Sequence, residues 1–149
     1  MYNELDELLL EETTVDSWYD DEFSIAQDIL NQFSNDDWQE LSNEVLKKDL
    51  DWQKKLVYCI DNQVIEEELN IICKLILIDD EELFEMCIDA LRAFDNELRH
   101  SFINKNPQII IEVGKKINIT GNATKGVLDN YNGIFCLCII PNIEIKEVA

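Results

Sequence analysis

The sequence predicts a mainly α protein, in which short antiparallel helix pairs stack as a HEAT-like α-solenoid or close as a compact bundle. A short β or extended tail is expected at the C-terminus. Two observations carry this. Apolar residues recur at three and four through most of residues 1–118, the spacing of one helix face. After Asn118 the texture changes: Gly121, Gly126 and Gly133 fall within thirteen residues and β-branched density rises. A chain of 149 residues fits one ordinary domain, 1–149, that buries roughly 68–70% of its unfolded surface. It divides into acidic N-terminal helices (1–51), helix pairs (52–118) and a less regular tail (119–149).

The elements follow in order. Leu5, Leu8 and Leu9 fit a short leading helix, and residues 11–21 break the pattern as a loop. From Asp21 onward, Phe23, Ala26, Leu30 and Phe33 form an apolar stripe. Ser34-Asn35-Asp36 supplies an N-cap before Trp38, Leu41, Val45 and Leu46. Asp51 is expected to cap the next helix, which runs from Trp52 to Ile60. Val64–Ile78 follows, with Ile65, Leu69, Ile72 and Ile76 on one face. Asp79-Asp80-Glu81-Glu82 opens a helix whose Leu83, Cys87, Ala90, Leu91 and Phe94 face the core, and four acids there suit the positive end of the helix dipole. Asp95-Asn96 caps a helix with Leu98, Phe102 and Ile103. Pro107 suits the first position of a helix through about Lys116. A short helix near Lys125–Tyr131 precedes strand-like Ile134–Ile140 and Ile143–Val148. The pairs are about thirty residues long with no visible repeat consensus, which disfavours tetratricopeptide and ankyrin arrays.

Charge narrows the function. The chain holds 12 Lys+Arg against 32 Asp+Glu, a formal −20. Residues 1–51 carry sixteen acids and two Lys, residues 52–104 twelve acids and five bases, and residues 105–149 four acids and five Lys. Such a chain cannot bind nucleic acid through counterion release, and anionic lipid repels it. An acidic front on a near-neutral back suits a basic protein partner, with plain solubility as the simpler reading. A single His and few Ser leave little general-base or nucleophile machinery, so no enzyme activity is expected. Phosphate-binding, dinucleotide, zinc-protease and nucleophile-elbow motifs are all missing from the sequence.

The five cysteines, with no signal peptide and no apolar run near the length of a membrane span, point to free thiols and a cytoplasmic protein. Cys59, Cys73 and Cys87 sit in apolar helical patterns and read as buried hydrophobes. Cys136-Leu137-Cys138 falls in a strand-like run, and His100, the only histidine, reads as a surface residue. No metal and no cofactor is expected. Asp79–Glu82 lacks the alternating ligands and central glycine of a calcium loop, and Glu66-Glu67-Glu68 reads as a solvated helix start.

What the sequence does offer is aromatic side chains embedded in acid. Trp18-Tyr19-Asp20-Asp21-Glu22 and Asp36-Asp37-Trp38 combine rigid interface anchors with carboxylates that steer a basic partner. Trp38 and Trp52 also fit core faces, whereas Trp18 and Tyr19 stand outside the strongest periodicity. Glu82, Glu85 and Asp89, at i, i+3 and i+7, form an acidic stripe opposite Leu83, Cys87 and Leu91, and Arg92 lies three residues from Asp89. The candidate partner-binding residues are therefore Trp18, Tyr19, Asp20, Asp21, Glu22, Asp36, Asp37, Asp79, Asp80, Glu82, Glu85 and Asp89.

The stretch Trp52…Leu56-Val57-Tyr58-Cys59-Ile60, Glu68-Leu69…Leu75, Asp79-Asp80-Glu81-Glu82-Leu83-Phe84-Glu85 and Ile88-Asp89-Ala90-Leu91-Arg92 resembles small helical immunity proteins. These accompany bacterial polymorphic toxins, including contact-dependent growth inhibition systems. The resemblance is one of apolar and acidic texture over about residues 52–94. It implies a cytoplasmic antidote that binds one cognate toxin domain, often a nuclease, and blocks its active site or substrate path. A nuclease presents a basic cleft to phosphates, so the implication agrees with the charge. The alternatives are a helical adaptor or scaffold, and an acidic DNA mimic that inhibits a nucleic-acid-binding protein.

Overall fold

A computed structural model describes residues 1–11 and 18–108, except for the side chains of Tyr19 and Ile103. The expected helix beyond Gln108, the helix near Lys125, both C-terminal strands and the Cys136–Cys138 pair lie outside the described residues. Within them the protein is helical throughout, as the apolar spacing predicts. The helices are α1 (Tyr2–Leu10), α2 (Phe23–Asn31), α3 (Asn35–Glu44), α4 (Leu50–Cys59), α5 (Glu66–Leu75), α6 (Glu81–Leu91) and α7 (Asn96–Lys105). A π-helical turn, Trp18–Glu22, leads into α2, and a 3₁₀ turn, Val45–Lys47, follows α3.

Short polar side chains set most of the starts. Ser34 Oγ accepts the Asp37 N–H at 3.2 Å while Asp37 Oδ2 accepts the Ser34 N–H at 3.0 Å, a reciprocal cap on α3. Asp80 caps α6 by accepting from Leu83 N at 2.8 Å, and Asp95 caps α7 by accepting from Leu98 N at 2.7 Å. Asp79 and Asp80 thus precede α6 rather than forming its first turn. The α4 cap is Asp49, not Asp51. Asp49 has an extended backbone (ψ 170°) and accepts from Trp52 N at 2.9 Å, which places Asp51 inside the first turn. The loop expected at residues 11–21 also ends early, because Trp18–Asp21 already belong to the π-helical turn.

Helices two apart in sequence pack side by side: α1 on α3, α2 on α4, α3 on α5, α4 on α6, and α5 on α7. Close contacts of α1 with α2 and α4, and of α5 with α6, tie these rows together. The arrangement is compatible with a helical bundle. One apolar core runs through it, from Leu5 and Leu9 through Trp52, Leu56 and Ile60 to Ile72, Phe84, Leu91 and Phe94. Trp38 and Trp52 are both core residues. Cys59, Cys73 and Cys87 are free and buried, and burial pushes the Cys73 thiol up to about 12. They serve as the small hydrophobes expected from their surroundings. Among the described residues, no helix is long and apolar enough to cross a membrane.

Two polar junctions fix how the rows meet. At the first, Asp6 on α1 accepts the Trp52 indole N–H at 3.0 Å and pairs with Lys48 at 2.8 Å, while the Lys48 ammonium lies 5.4 Å from the Trp52 ring centroid. The hydrogen bond to Asp6 raises the Lys48 pKa. At the second, Glu68 on α5 is 0% exposed. Its carboxylate accepts the Gln63 N–H at 3.1 Å and the Ile65 N–H at 3.3 Å, closing the turn from α4 to α5. Val64 in that turn takes a left-handed backbone (φ 56°), a conformation that disfavours a β-branched residue. The solvated reading of Glu68 is therefore corrected. Its spacing from Ile71, Ile72 and Leu75 puts it on the buried face of α5.

Candidate partner-binding surface

The acidic candidates fall into three groups by what their side chains do. Asp37 and Asp80 are half-buried caps. Asp37 also accepts the Tyr2 N–H at 3.2 Å, and its hydrogen bonds, chiefly from the Ser34 N–H, hold its carboxyl below the usual range. Their carboxylates stitch helices together. Asp20, Asp21, Asp36, Asp79, Glu82 and Asp89 are exposed, and Glu22 and Glu85 are half-buried. Trp18 is corrected from interface anchor to core: it is 2% exposed, and the Lys55 ammonium sits 5.4 Å from its ring centroid. Tyr19 lies in the same turn, but its side chain is outside the described residues.

Basic side chains settle where the negative potential survives. Lys47 pairs with Glu44 at 3.3 Å, Lys54 with Glu82 at 3.1 Å, Arg92 with Asp89 at 3.3 Å and Lys105 with Glu66 at 3.2 Å. Lys55 donates to the Glu11 carbonyl at 2.8 Å, and Lys74 to the Ser42 carbonyl at 3.0 Å and its hydroxyl at 2.6 Å. Arg99 is buried and donates to the Leu91 carbonyl at the end of α6 and to the Asn96 side chain. With Lys48 on Asp6, each base within residues 18–108 has a partner inside the chain. Among the described residues, seventeen Asp and Glu are exposed against three bases, Lys47, Arg92 and Lys105. Among the described residues the exposed surface is more one-signed than their composition implies, because most of their cations are drawn into the scaffold and most carboxylates are left outside.

The expected stripe on α6 forms as the spacing requires. Glu82 and Asp89 are exposed, Glu85 is half-buried, and Leu83, Cys87 and Leu91 face the core. The Asp89–Arg92 pair is exposed on both sides, so it stabilises the fold little in water. This stripe runs beside α4. Lys54 ties the starts of the two helices together, and Asp89 acts on Asp61 at their other ends. Burial, with Asp89 adding to it, raises the Asp61 pKa. Tyr58, which the sequence places in the apolar run Leu56–Ile60, instead points outward at 40% exposure and meets Phe23 of α2 edge-on at 5.3 Å. A period-3.6 reading of that run could have found it, since 56, 57, 59 and 60 share the inward side. His100 is exposed, as expected.

The arrangement can attract and hold a positively charged surface. Among the described residues, no group of His, Cys, Asp and Glu is placed to hold a metal ion. No family model matches this chain, and no curated protein or solved structure matches it.

Proposed function

We propose that this chain is an immunity protein that binds one cognate toxin domain with a basic substrate cleft, a nuclease, and occludes that cleft. The observation that carries the reading is the exposed imbalance of seventeen acids to three bases among the described residues. A field of one sign speeds encounter with a basic partner and disfavours the wrong ones. Helices that are already folded present that field without a backbone-folding cost on binding. The adaptor reading requires no such charge. The DNA-mimic reading shares the charge but demands promiscuity.

The test is co-purification with the toxin domain encoded beside this chain, at low and high salt, together with rescue of cells that express it. A stoichiometric complex that weakens with salt, and survival of the cells, are expected. Failure of both binding and rescue overturns the proposal. Binding to several unrelated duplex-binding proteins, each displaced by DNA, would replace it with the mimic.

A further inference from the structure

Of the large hydrophobic side chains exposed among the described residues, Leu10, Ile25 and Leu46 lie on or beside other helices, and the outward face of α4 carries two, Leu50 and Tyr58, on one helix. Leu50, Lys54 and Tyr58 recur every fourth residue, and Leu50 and Tyr58 are 39% and 40% exposed. The Lys54 ammonium turns toward α6, 3.1 Å from Glu82 and 3.9 Å from Asp80, which leaves its alkyl stem between the two apolar side chains. Phe23 backs Tyr58 from α2 with its ring at 87° to the tyrosine, so the ring is braced in place before any partner arrives. Glu82, Glu85 and Asp89 border the stripe along α6, and Asp61 extends that border past the end of α4. The nearest bases are already engaged: Lys54 on Glu82, Lys55 on the Leu9 and Glu11 carbonyls, and Arg92 on Asp89. An apolar centre with a charged rim is the anatomy of a protein interface.

We infer that the Leu50–Tyr58 stripe of α4 is the docking face. Its occupant is a basic protein segment that sets an apolar side chain between Leu50 and Tyr58 and its Arg or Lys residues on Glu85 and Asp89. Charge complementarity selects this occupant. A second copy of this chain would bring another acidic rim against the first, and an anionic lipid surface is repelled for the same reason. The inference rests on the toxin-binding reading for the partner's biological identity and on the stripe itself for its chemistry.

The test uses the full chain, isotopically labelled, titrated with three synthetic peptides: one of Leu and Arg in amphipathic order, one of Arg and Gly with equal charge, and one of Leu and Glu. The Leu–Arg peptide should shift resonances of Leu50, Tyr58, Glu85 and Asp89 first and bind about tenfold more tightly than the Arg–Gly peptide; the Leu–Glu peptide should not bind. Tyr58→Ser should remove most of that preference while leaving Arg–Gly binding unchanged. Glu85→Gln with Asp89→Asn should weaken both basic peptides, and Asp28→Asn with Glu40→Gln should alter neither. Circular dichroism of each variant checks that the helices persist. Shifts spread evenly over all acidic helices, equal affinity for the two basic peptides, or no effect of Tyr58→Ser in a folded protein would overturn the inference. So would self-association through the stripe, or contacts from residues 109–149 to Tyr58 in the free chain. A localised peptide site without toxin binding would sink the immunity reading alone; toxin binding without a localised site would sink only the stripe.

Discussion

Asp6 and Glu68 are two carboxylates drawn out of water at two junctions of the same scaffold, and they are treated in opposite ways. Asp6 receives a cation, Lys48, and an indole N–H from Trp52. Glu68, more deeply buried, receives backbone N–H groups and has Asp61 as a charged neighbour. Backbone N–H groups favour the ionised form but do not offset burial, so burial, with Asp61 adding to it, pushes the Glu68 carboxyl up to about 7. The lesson is that most of the described cations, Lys48, Lys54, Lys55, Lys74, Arg99 and Lys105, are placed where they join helices, while the buried Glu68 has none and holds its proton more tightly instead.

The comparison breaks most severely at Trp52. Trp52→Ala deletes a side chain that is 1% exposed, along with the N–H that orients Asp6 and the ring beneath Lys48. We expect a loss of about 3–5 kcal/mol in urea unfolding, enough to unfold a marginal domain. A milder loss would show that the α1–α4 junction collapses around the cavity.

Glu68 sharpens the contrast through pH. Below the ordinary glutamate value of 4.5 the folded and unfolded chains both hold this proton; between there and about 7 only the folded chain does. Unfolding in that window releases a proton, so stability from this group is fully present at low pH and is lost as pH rises through about 7. The swing is on the order of 3 kcal/mol. Relief of self-repulsion among the other carboxylates acts in the same direction, which makes Glu68→Gln the separating experiment. The amide stays neutral and still accepts from Gln63 and Ile65, so thermal midpoints measured from pH 4.5 to 7.5 should lose most of their slope. An unchanged slope would mean that the repulsion, not Glu68, sets it.

The smallest effect is expected from Asp6→Asn, which keeps an acceptor for Trp52 but leaves Lys48 without its carboxylate. A cost of about 1–2 kcal/mol in urea unfolding is expected, shrinking as salt is added because the pair is partly exposed. A cost equal to that of Trp52→Ala would show that the ion pair, rather than the packed ring, holds α1 in place.

How legible these features were depended on whether local rules decided them. Ser34, Asp80 and Asp95 announce helix starts because a short acceptor before an apolar run has one place to put its oxygen. Asp49 and Asp51 are both such acceptors two residues apart, and only the backbone turn at Asp49 decides between them. The acidic stripe of α6 was readable from its period alone. Glu68 was not, because a run of three glutamates reads as solvent-exposed until the third is counted with Ile72 and Leu75. Trp18 was misread because it stands two residues from Asp20 and three from Asp21, while its ring lies beside the Lys55 ammonium of α4, far along the chain. Tyr58 was hidden inside an apolar run whose other members all turn inward. Glu68 and Tyr58 thus follow from the period of their own helices, whereas Trp18 meets a partner, Lys55, that sequence spacing does not bring close.

Cys59, Cys73 and Cys87 sit on α4, α5 and α6, one buried thiol to each of three consecutive helices. A thiolate reagent can reach each one only when its helix parts from its neighbours, so labelling speed measures how often that happens. The protein carries its own stopwatch: site-resolved mass spectrometry of the order in which the three thiols react would show which helix leaves the scaffold first, and a bound partner laid along α4 would slow the Cys59 hand before the others.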